Sequence, residues 1–176
     1  MWCRKWSRCT AALTAVWLLL VGCGYQLKGR HGSLPEDMRT IAIPVMQNRT
    51  NEPGLETTAT RIFIEEFNRR TELKVVTEDR ADVVLRGEIQ DIYVSPLSYG
   101  ANEHASERRV TLTMGFQLEK RDGDKPVENV NGLSFQEGYE VVPDDPLATD
   151  ANQKVALNKI LSNLAEKVNE MLFRDF

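Results

Sequence analysis

Period-two alternation of apolar and polar residues predicts the strands of this chain. The alternation occurs over residues 40–45, 82–94, 108–120 and 133–142, and a short apolar run over 73–76 adds a further candidate strand. The strictest of these segments places five apolar side chains on one face, namely Val110, Leu112, Met114, Phe116 and Leu118. Strict alternation is typical of antiparallel strands with one covered face and one solvent-facing side.

Three features interrupt this pattern. Pro44 cannot donate a ladder hydrogen bond, so the first strand is expected to end at this residue or to lie at a sheet edge. In the second strand the apolar residues change from one alternating set of positions to the other before Ile92, which indicates a bulge or a bend. A polar loop is expected over residues 95–107, and Asp122-Gly123 supplies a hairpin turn.

Apolar residues at helical spacing predict two helices. The first begins after Asn51-Glu52-Pro53, where a proline suits the first turn, and runs to about Arg70. Its apolar stripe consists of Leu55, Ala59, Ile62, Phe63 and Phe67. The second spans residues 150–173 and opens with Asp150 and Gln153, which resemble a capping box. Its apolar seam consists of Leu157, Ile160, Leu161, Leu164, Val168, Met171 and Leu172.

The order of these elements predicts the fold class. A strand is followed by a helix, then by three or four strands, and then by the second helix. Two amphipathic helices and a sheet with one apolar face can bury their apolar sides only against each other. We therefore expect an α+β fold, a two-layer sandwich with two long helices on one face of a mostly antiparallel, mixed sheet of four to five strands.

The first 22 residues have the features of a lipoprotein signal peptide. Basic residues precede an uncharged stretch over residues 11–21, which is well short of the ~20 residues that a membrane-spanning helix needs. Leu20-Val21-Gly22-Cys23 follows and resembles the bacterial lipobox, in which the cysteine receives a diacylglycerol before the signal is removed. The alternative is an ordinary signal peptide that happens to be followed by a cysteine.

This interpretation divides the chain into a signal peptide (1–22), a lipidated tether (23–37) and a single sandwich domain (38–176). In lipoproteins of Gram-negative bacteria, an aspartate after the lipidated cysteine favours retention in the inner membrane. Gly24 occupies that position here, so the outer membrane is favoured. Cys3 and Cys9 lie within the removed signal, so the mature chain can form no disulfide of its own.

Charge and motif content exclude several functions. Removing the three basic residues of the signal takes the formal net charge from −4 to about −7, which does not suit a general nucleic-acid binder. The two histidines, His31 and His104, lie in the tether and the polar loop, and no catalytic or phosphate-binding glycine motif occurs. We therefore expect no enzyme, no cofactor and no metal. The aromatic and methionine residues fall on predicted core stripes, so we expect them to pack in the core. The alternative is that they line a pocket for an acyl chain.

Taken together, these residues resemble the lipopolysaccharide-assembly lipoprotein family (LptE). The resemblance covers essentially the whole mature chain and rests on residues 23–29, 34–35, 40–45, 48–50, 52–56 and 81–88, together with the start of the last helix. It implies a partner, the large outer-membrane β-barrel that inserts lipopolysaccharide into the outer leaflet. It also implies that the lipoprotein sits as a plug within the barrel, helps it assemble and contacts lipopolysaccharide.

Two other functions remain open on the sequence. The first is a stand-alone periplasmic lipoprotein that binds a lipid or a small ligand, and the second, ranked last, is a lipid-anchored hydrolase. Co-purification with a large barrel would distinguish the function implied by the resemblance from that of a stand-alone binding lipoprotein. Turnover that depends on a pair of carboxylates would support the hydrolase.

A candidate lipopolysaccharide contact lies at Arg108, Arg109 and His104. If the strands form an antiparallel meander, these residues share one edge with the N-terminus of the last helix. Arginine can bind a lipid phosphate through two parallel hydrogen bonds. The alternative is that the two arginines only pair with neighbouring carboxylates at the surface, namely Glu107, Asp144 or Asp145. A second basic group should lie ~35–40 Å away at the other end of the strands, and it consists of Lys120, Arg121 and Lys125.

We predict that Cys23 is the lipidated N-terminal residue of the mature protein. The intact mass of the wild-type protein should show a chain that begins at Cys23 and carries several acyl chains, because one chain gives only marginal anchoring. Cys23→Ala should yield an unprocessed precursor or a soluble product. An unmodified cysteine or a different mature N-terminus would contradict the prediction.

Overall fold

A computed structural model describes residues 38–99, 105–121, 123 and 126–174. Three short strands and the first helix occupy the first part, as β1 (Thr40–Ala42), β2 (Gln47–Asn48), α1 (Leu55–Arg70) and β3 (Lys74–Val75). After a 3-10 turn at Glu78–Arg80, the second part consists of β4 (Val83–Tyr99), β5 (Ala105–Lys120), β6 (Pro126–Glu140) and α2 (Pro146–Arg174).

The strands form a single mixed sheet with the order β3-β1-β4-β5-β6, and β2 also pairs with β4. The three long strands are antiparallel to their neighbours, whereas the short strands β1 and β2 lie parallel to β4. Both helices contribute to one buried core with the sheet. The predicted α+β two-layer sandwich is thus confirmed, with six strands in the described residues in place of four or five.

The predicted strand over 40–45 ends at Ala42, before Pro44, and the additional strand β2 follows at Gln47–Asn48. Ala42 pairs with Val84 and Gln47 pairs with Glu88, so four residues of one chain segment face three of β4. Proline has no N–H to give to the ladder, and the segment arches away from β4 around it. The arch returns the Met46 side chain to the core. The Met46 side chain occupies the space that a Cβ on Gly87 would need. The Met46 N–H donates a hydrogen bond to the Thr60 hydroxyl at 3.0 Å.

Strands β4 and β5 form a long hairpin whose register shifts between Ile89 and Asp91. The extra residue, Gln90, is the bulge that the phase shift at Ile92 predicted. The predicted polar loop over 95–107 is wrong, because both strands continue through most of it to Tyr99 and Ala105. Backbone pairing does not require apolar side chains, and polar side chains also join the two strands here. The hydroxyls of Ser98 and Ser106 are 2.9 Å apart.

The core lies between the helices and one face of the sheet. Phe63 of α1 stacks on Phe116 of β5 with ring centroids 5.2 Å apart, so the first helix is packed directly on the central strands. Leu161 and Leu164 of α2 are fully buried in the same cluster. The apolar residues predicted for both helices are therefore the ones buried in the core, with the exception of Met171, which is partly exposed.

Helix α2 begins at Pro146, so the predicted cap at Asp150 is wrong. The Asp145 carboxylate accepts the Ala148 N–H at 2.9 Å and caps the helix one turn earlier. Proline suits the first helical position because its missing N–H has no partner there anyway. Gln153 does not close a capping box, and its side chain instead accepts the Tyr139 hydroxyl at 3.2 Å.

Hydrogen bonds to the Asp82 side chain link the start of β1 to the start of β4. Its carboxylate accepts the N–H groups of Arg39 and Thr40, each at 2.9 Å, and the Thr40 hydroxyl at 2.7 Å. The Thr40 side-chain hydrogen bond, followed by that from the Arg39 backbone, holds the pKa of Asp82 below its ordinary value. We call this part of the sandwich, with Thr40, Asp82 and Lys120, the Asp82 end.

We predict that Leu161→Ala and Leu164→Ala each destabilise the protein by ~2–5 kcal/mol, since each removes a fully buried side chain and leaves a cavity. The thermal midpoint should fall by several degrees. Val155→Ala on the same helix is the matched control, because Val155 is exposed and its truncation should change stability by less than ~0.5 kcal/mol. If all three variants melt at the same temperature as the wild-type protein, α2 does not close the core.

Candidate functional site

The candidate site lies at the end of the sandwich opposite Asp82. We call it the hairpin end and define it by residues 93–99 of β4, 105–110 of β5 and 141–150 around the start of α2. Arg108 pairs with Pro96 on β4 and with Tyr139 on β6, and Val110 is the first fully buried residue beyond it on β5. The strands here extend past the apolar core.

Arg108 lines a depression of about 380 Å³ together with the first turn of α2. The depression also includes Val142, Asp144, Thr149 and Asp150. The predicted placement of Arg108 beside the N-terminus of the last helix is thus confirmed. Within the described residues, Arg108 forms no ion pair with Glu107, Asp144 or Asp145.

The start of α2 is less open to an anion than the sequence indicated. Its N–H groups are partly used, because Asp145 accepts the Ala148 N–H. Asp150 binds Lys154 at 2.7 Å, and this hydrogen bond raises the pKa of Lys154. Together with Asp144, whose φ of 61° lies in the left-handed region, these carboxylates give the depression both signs of charge. Arg108 therefore supplies the positive charge here, while the capped helix terminus contributes little.

Arg109 points to the other face of the sheet. It lies between Ser95 of β4 and Gly138 of β6 in the register. The Leu97 side chain lies beside it, 3.4 Å from where a Cβ on Gly138 would be. The two arginines therefore cannot clamp one group from the same side, as the alternation of the strand predicted.

Exposed apolar side chains surround these cations. Tyr93 and Leu97 are 62% and 43% exposed and lie on the face of Arg109, while Val94 is 37% exposed on the face of Arg108. Leu147, in the first turn of α2, is 82% exposed. Sequence reasoning missed this group, because a polar loop was expected over 95–107. The signal available was the apolar run Tyr93-Val94 followed by Leu97.

The second basic group lies far from this site. Lys120 pairs with Val83, thirteen residues along β4 from the partner of Arg108, which corresponds to about 40 Å at ~3.3 Å per residue. The Arg121 N–H donates to the Asp82 carbonyl at that same end. The predicted separation of the two groups is confirmed for Lys120 and Arg121. Lys125, His104 and Cys23 lie outside the described residues.

The described residues show neither a metal site nor a membrane-spanning helix. They contain no group of three or more histidine, cysteine, aspartate or glutamate side chains placed to hold a metal ion. No helix among them is both long and apolar enough to cross a membrane.

Solved structures with the same fold include several described as lipoproteins. Lipoprotein B from Nitrosomonas europaea aligns with a TM-score of 0.56 and 12% identity, over 85% of this chain and 90% of its own. A putative lipoprotein from Caulobacter crescentus CB15 aligns with a TM-score of 0.51 and 13% identity, over 74% and 89%. A hypothetical protein from Chlamydia trachomatis aligns with a TM-score of 0.50 and 6% identity, over 76% and 96%. At these identities the likeness shows the fold alone.

The two-layer sandwich is therefore a fold found in bacterial lipoproteins. A model of the lipopolysaccharide-assembly family, LptE, matches residues 38–172. The chain belongs to this family, and its general role is that of a lipoprotein in lipopolysaccharide assembly. No curated protein matches the sequence.

Proposed function

We propose that this protein is an outer-membrane lipoprotein that assembles with a large β-barrel, plugs it and assists the insertion of lipopolysaccharide into the outer leaflet. Cys23 carries the lipid anchor, and Arg108 and Arg109 of the hairpin end contact lipopolysaccharide, together with His104 of the segment between β4 and β5. Family membership supports the general role. The observation that carries the site is the combination of cations and exposed apolar side chains at the hairpin end.

Lipopolysaccharide combines phosphate groups with acyl chains, and the hairpin end offers a complement to both. A guanidinium binds a phosphate through charge-assisted hydrogen bonds. Tyr93, Val94 and Leu97 offer apolar surface to the chains. Because Arg108 and Arg109 lie on opposite faces, each meets a different part of the ligand. The acidic domain repels anions in general, so contact with a phosphate depends on this local arrangement.

The length of the sheet supports a plug that reaches through the thickness of a membrane. The Asp82 end, where β1 begins at Thr40, lies about 40 Å from Arg108. The hydrocarbon core of a bilayer is ~30 Å thick. The domain is therefore long enough for its two ends to lie near the two faces of a bilayer.

We predict that the lipidated protein co-purifies with a large β-barrel. Affinity purification from outer membranes in a mild detergent, followed by mass spectrometry, should recover the barrel in a fixed stoichiometry together with lipopolysaccharide. A tagged lipoprotein of another family, expressed at the same level, is the control. Recovery of the wild-type protein without a barrel would contradict the proposal and support a stand-alone carrier.

We predict that Arg108→Glu and Arg109→Glu each lower the affinity of the full-length protein for purified lipopolysaccharide about tenfold or more. Losing one charge-assisted hydrogen bond removes ~1.5–3 kcal/mol, and ~1.4 kcal/mol corresponds to a factor of ten. Arg121→Glu, at the Asp82 end, is the control, and all variants are compared at matched thermal midpoints. If only Arg121→Glu weakens binding, the site lies at the Asp82 end.

A further inference from the structure

A second depression, of about 340 Å³, lies on the face of the sheet that the helices leave open. We call it the central depression. Its rim includes Val45, Arg49, Glu88, Gln117 and Asn131. It lies near the middle of β5, several residues from Arg108, and the site proposed for lipopolysaccharide phosphate does not include it.

Gly115, which lines the depression, has two amide side chains packed directly over it. A Cβ at this position would lie 2.6 Å from Nε2 of Gln90 and 3.1 Å from Oδ1 of Asn131, which is too close for ordinary packing. Both neighbouring strands are irregular at this level. Gln90 is the extra residue in β4, and Gly132, with φ of 69°, follows Asn131 in the register shift of β6. The two bulges turn amide side chains over the glycine.

The amides around the depression are available to a ligand. The side chains of Gln47, Gln117 and Asn131 form no hydrogen bond with any residue in the described part of the chain. Each amide offers both donors and acceptors. A hydroxyl group is likewise both a donor and an acceptor, so it can bind an amide in either sense.

The charges beside these amides are already balanced. Arg49 pairs with Glu88 at 2.6 Å, and Arg86 pairs with Glu119 at 3.0 Å and also with Glu78. A phosphate or carboxylate would have to compete with these carboxylates for the guanidinium groups. The depression therefore favours a neutral ligand.

The apolar side of the central depression and its volume further restrict the class of ligand that it can bind. Pro44 and Val45, which is 65% exposed, form an apolar side suited to the C–H face of a sugar ring. An acyl chain is disfavoured because the other walls are polar. An extended peptide binds best along a free sheet edge. The depression lies on a face of the sheet and not along a free edge. Its volume is at the small end of the ~300–1,000 Å³ of ligand sites, enough for one or two rings.

We propose that the central depression binds a neutral saccharide unit through the amides of Gln117 and Asn131. The source of the sugar is either the core oligosaccharide of lipopolysaccharide or another glycan of the envelope. The shared chemistry is an array of hydroxyl groups over an apolar ring face.

The test uses the full-length protein in a detergent without a sugar headgroup. Binding is measured by saturation-transfer NMR and isothermal titration with two probes, namely dephosphorylated, lipid-free core oligosaccharide and a maltooligosaccharide. Gln117→Ala and Asn131→Ala should each weaken binding at least tenfold. Gln136→Ala is the matched control, because Gln136 is an exposed amide on the same face of β6, opposite Thr111, and should change affinity less than twofold.

The two probes separate the possible sources. Tighter binding of the core oligosaccharide assigns the site to lipopolysaccharide sugar, whereas equal binding of both probes assigns it to glycans in general, and either result supports the proposal. It is overturned if neither probe binds, if all three variants bind as the wild type does, or if an uncharged peptide binds in place of the sugars. Co-purification with the barrel could persist in each of these cases, so the two proposals can fail separately.

Discussion

The antiparallel pairing of β4 and β5 is the interaction on which the other elements depend. The ladder runs from Val83 and Lys120 at one end to Tyr99 and Ala105 at the other, and every other strand except β3 is added to one of these two. Because the helices cover only part of its length, the same ladder supports a packed core and a projecting end. The separation of the Asp82 end from the hairpin end follows from its length.

Burial on one face leaves the other face free for function. The helix-facing side chains of β5 are buried from Val110 to Leu118, whereas the alternate side chains are polar and reach solvent. Pairs on the open face, such as Arg86 with Glu119, are exposed and contribute little to stability, since surface ion pairs provide ~0–1 kcal/mol. Substitutions there can alter binding with little change in folding. The central depression lies on this tolerant face.

The inserted residue Gln90 decides which face of the sheet Ile92, Tyr93 and Val94 present. Side chains alternate with a period of two, so one extra residue moves all those after it to the opposite face. Without the bulge, Ile92 and Val94 would turn toward solvent and Tyr93 toward the helices. The same insertion places an amide over Gly115. The irregularity at Gln90 thus contributes to both proposed sites.

Burial of one side of a helix or strand produces a periodic apolar pattern, and the sequence alone determined the elements that show one. These are the apolar stripes of both helices, the alternation of β5 and the phase shift before Ile92. It also carried the family resemblance. Only the tertiary structure decided the features that arise from backbone pairing and from neighbours distant in the chain. The polar ends of β4 and β5 continue as strands because each supplies the other's hydrogen bonds. Helix α2 starts at Pro146 because Asp145 caps it. Gly115 lies beneath two amides because β4 and β6 are both irregular at its level, which no single-strand pattern can reveal.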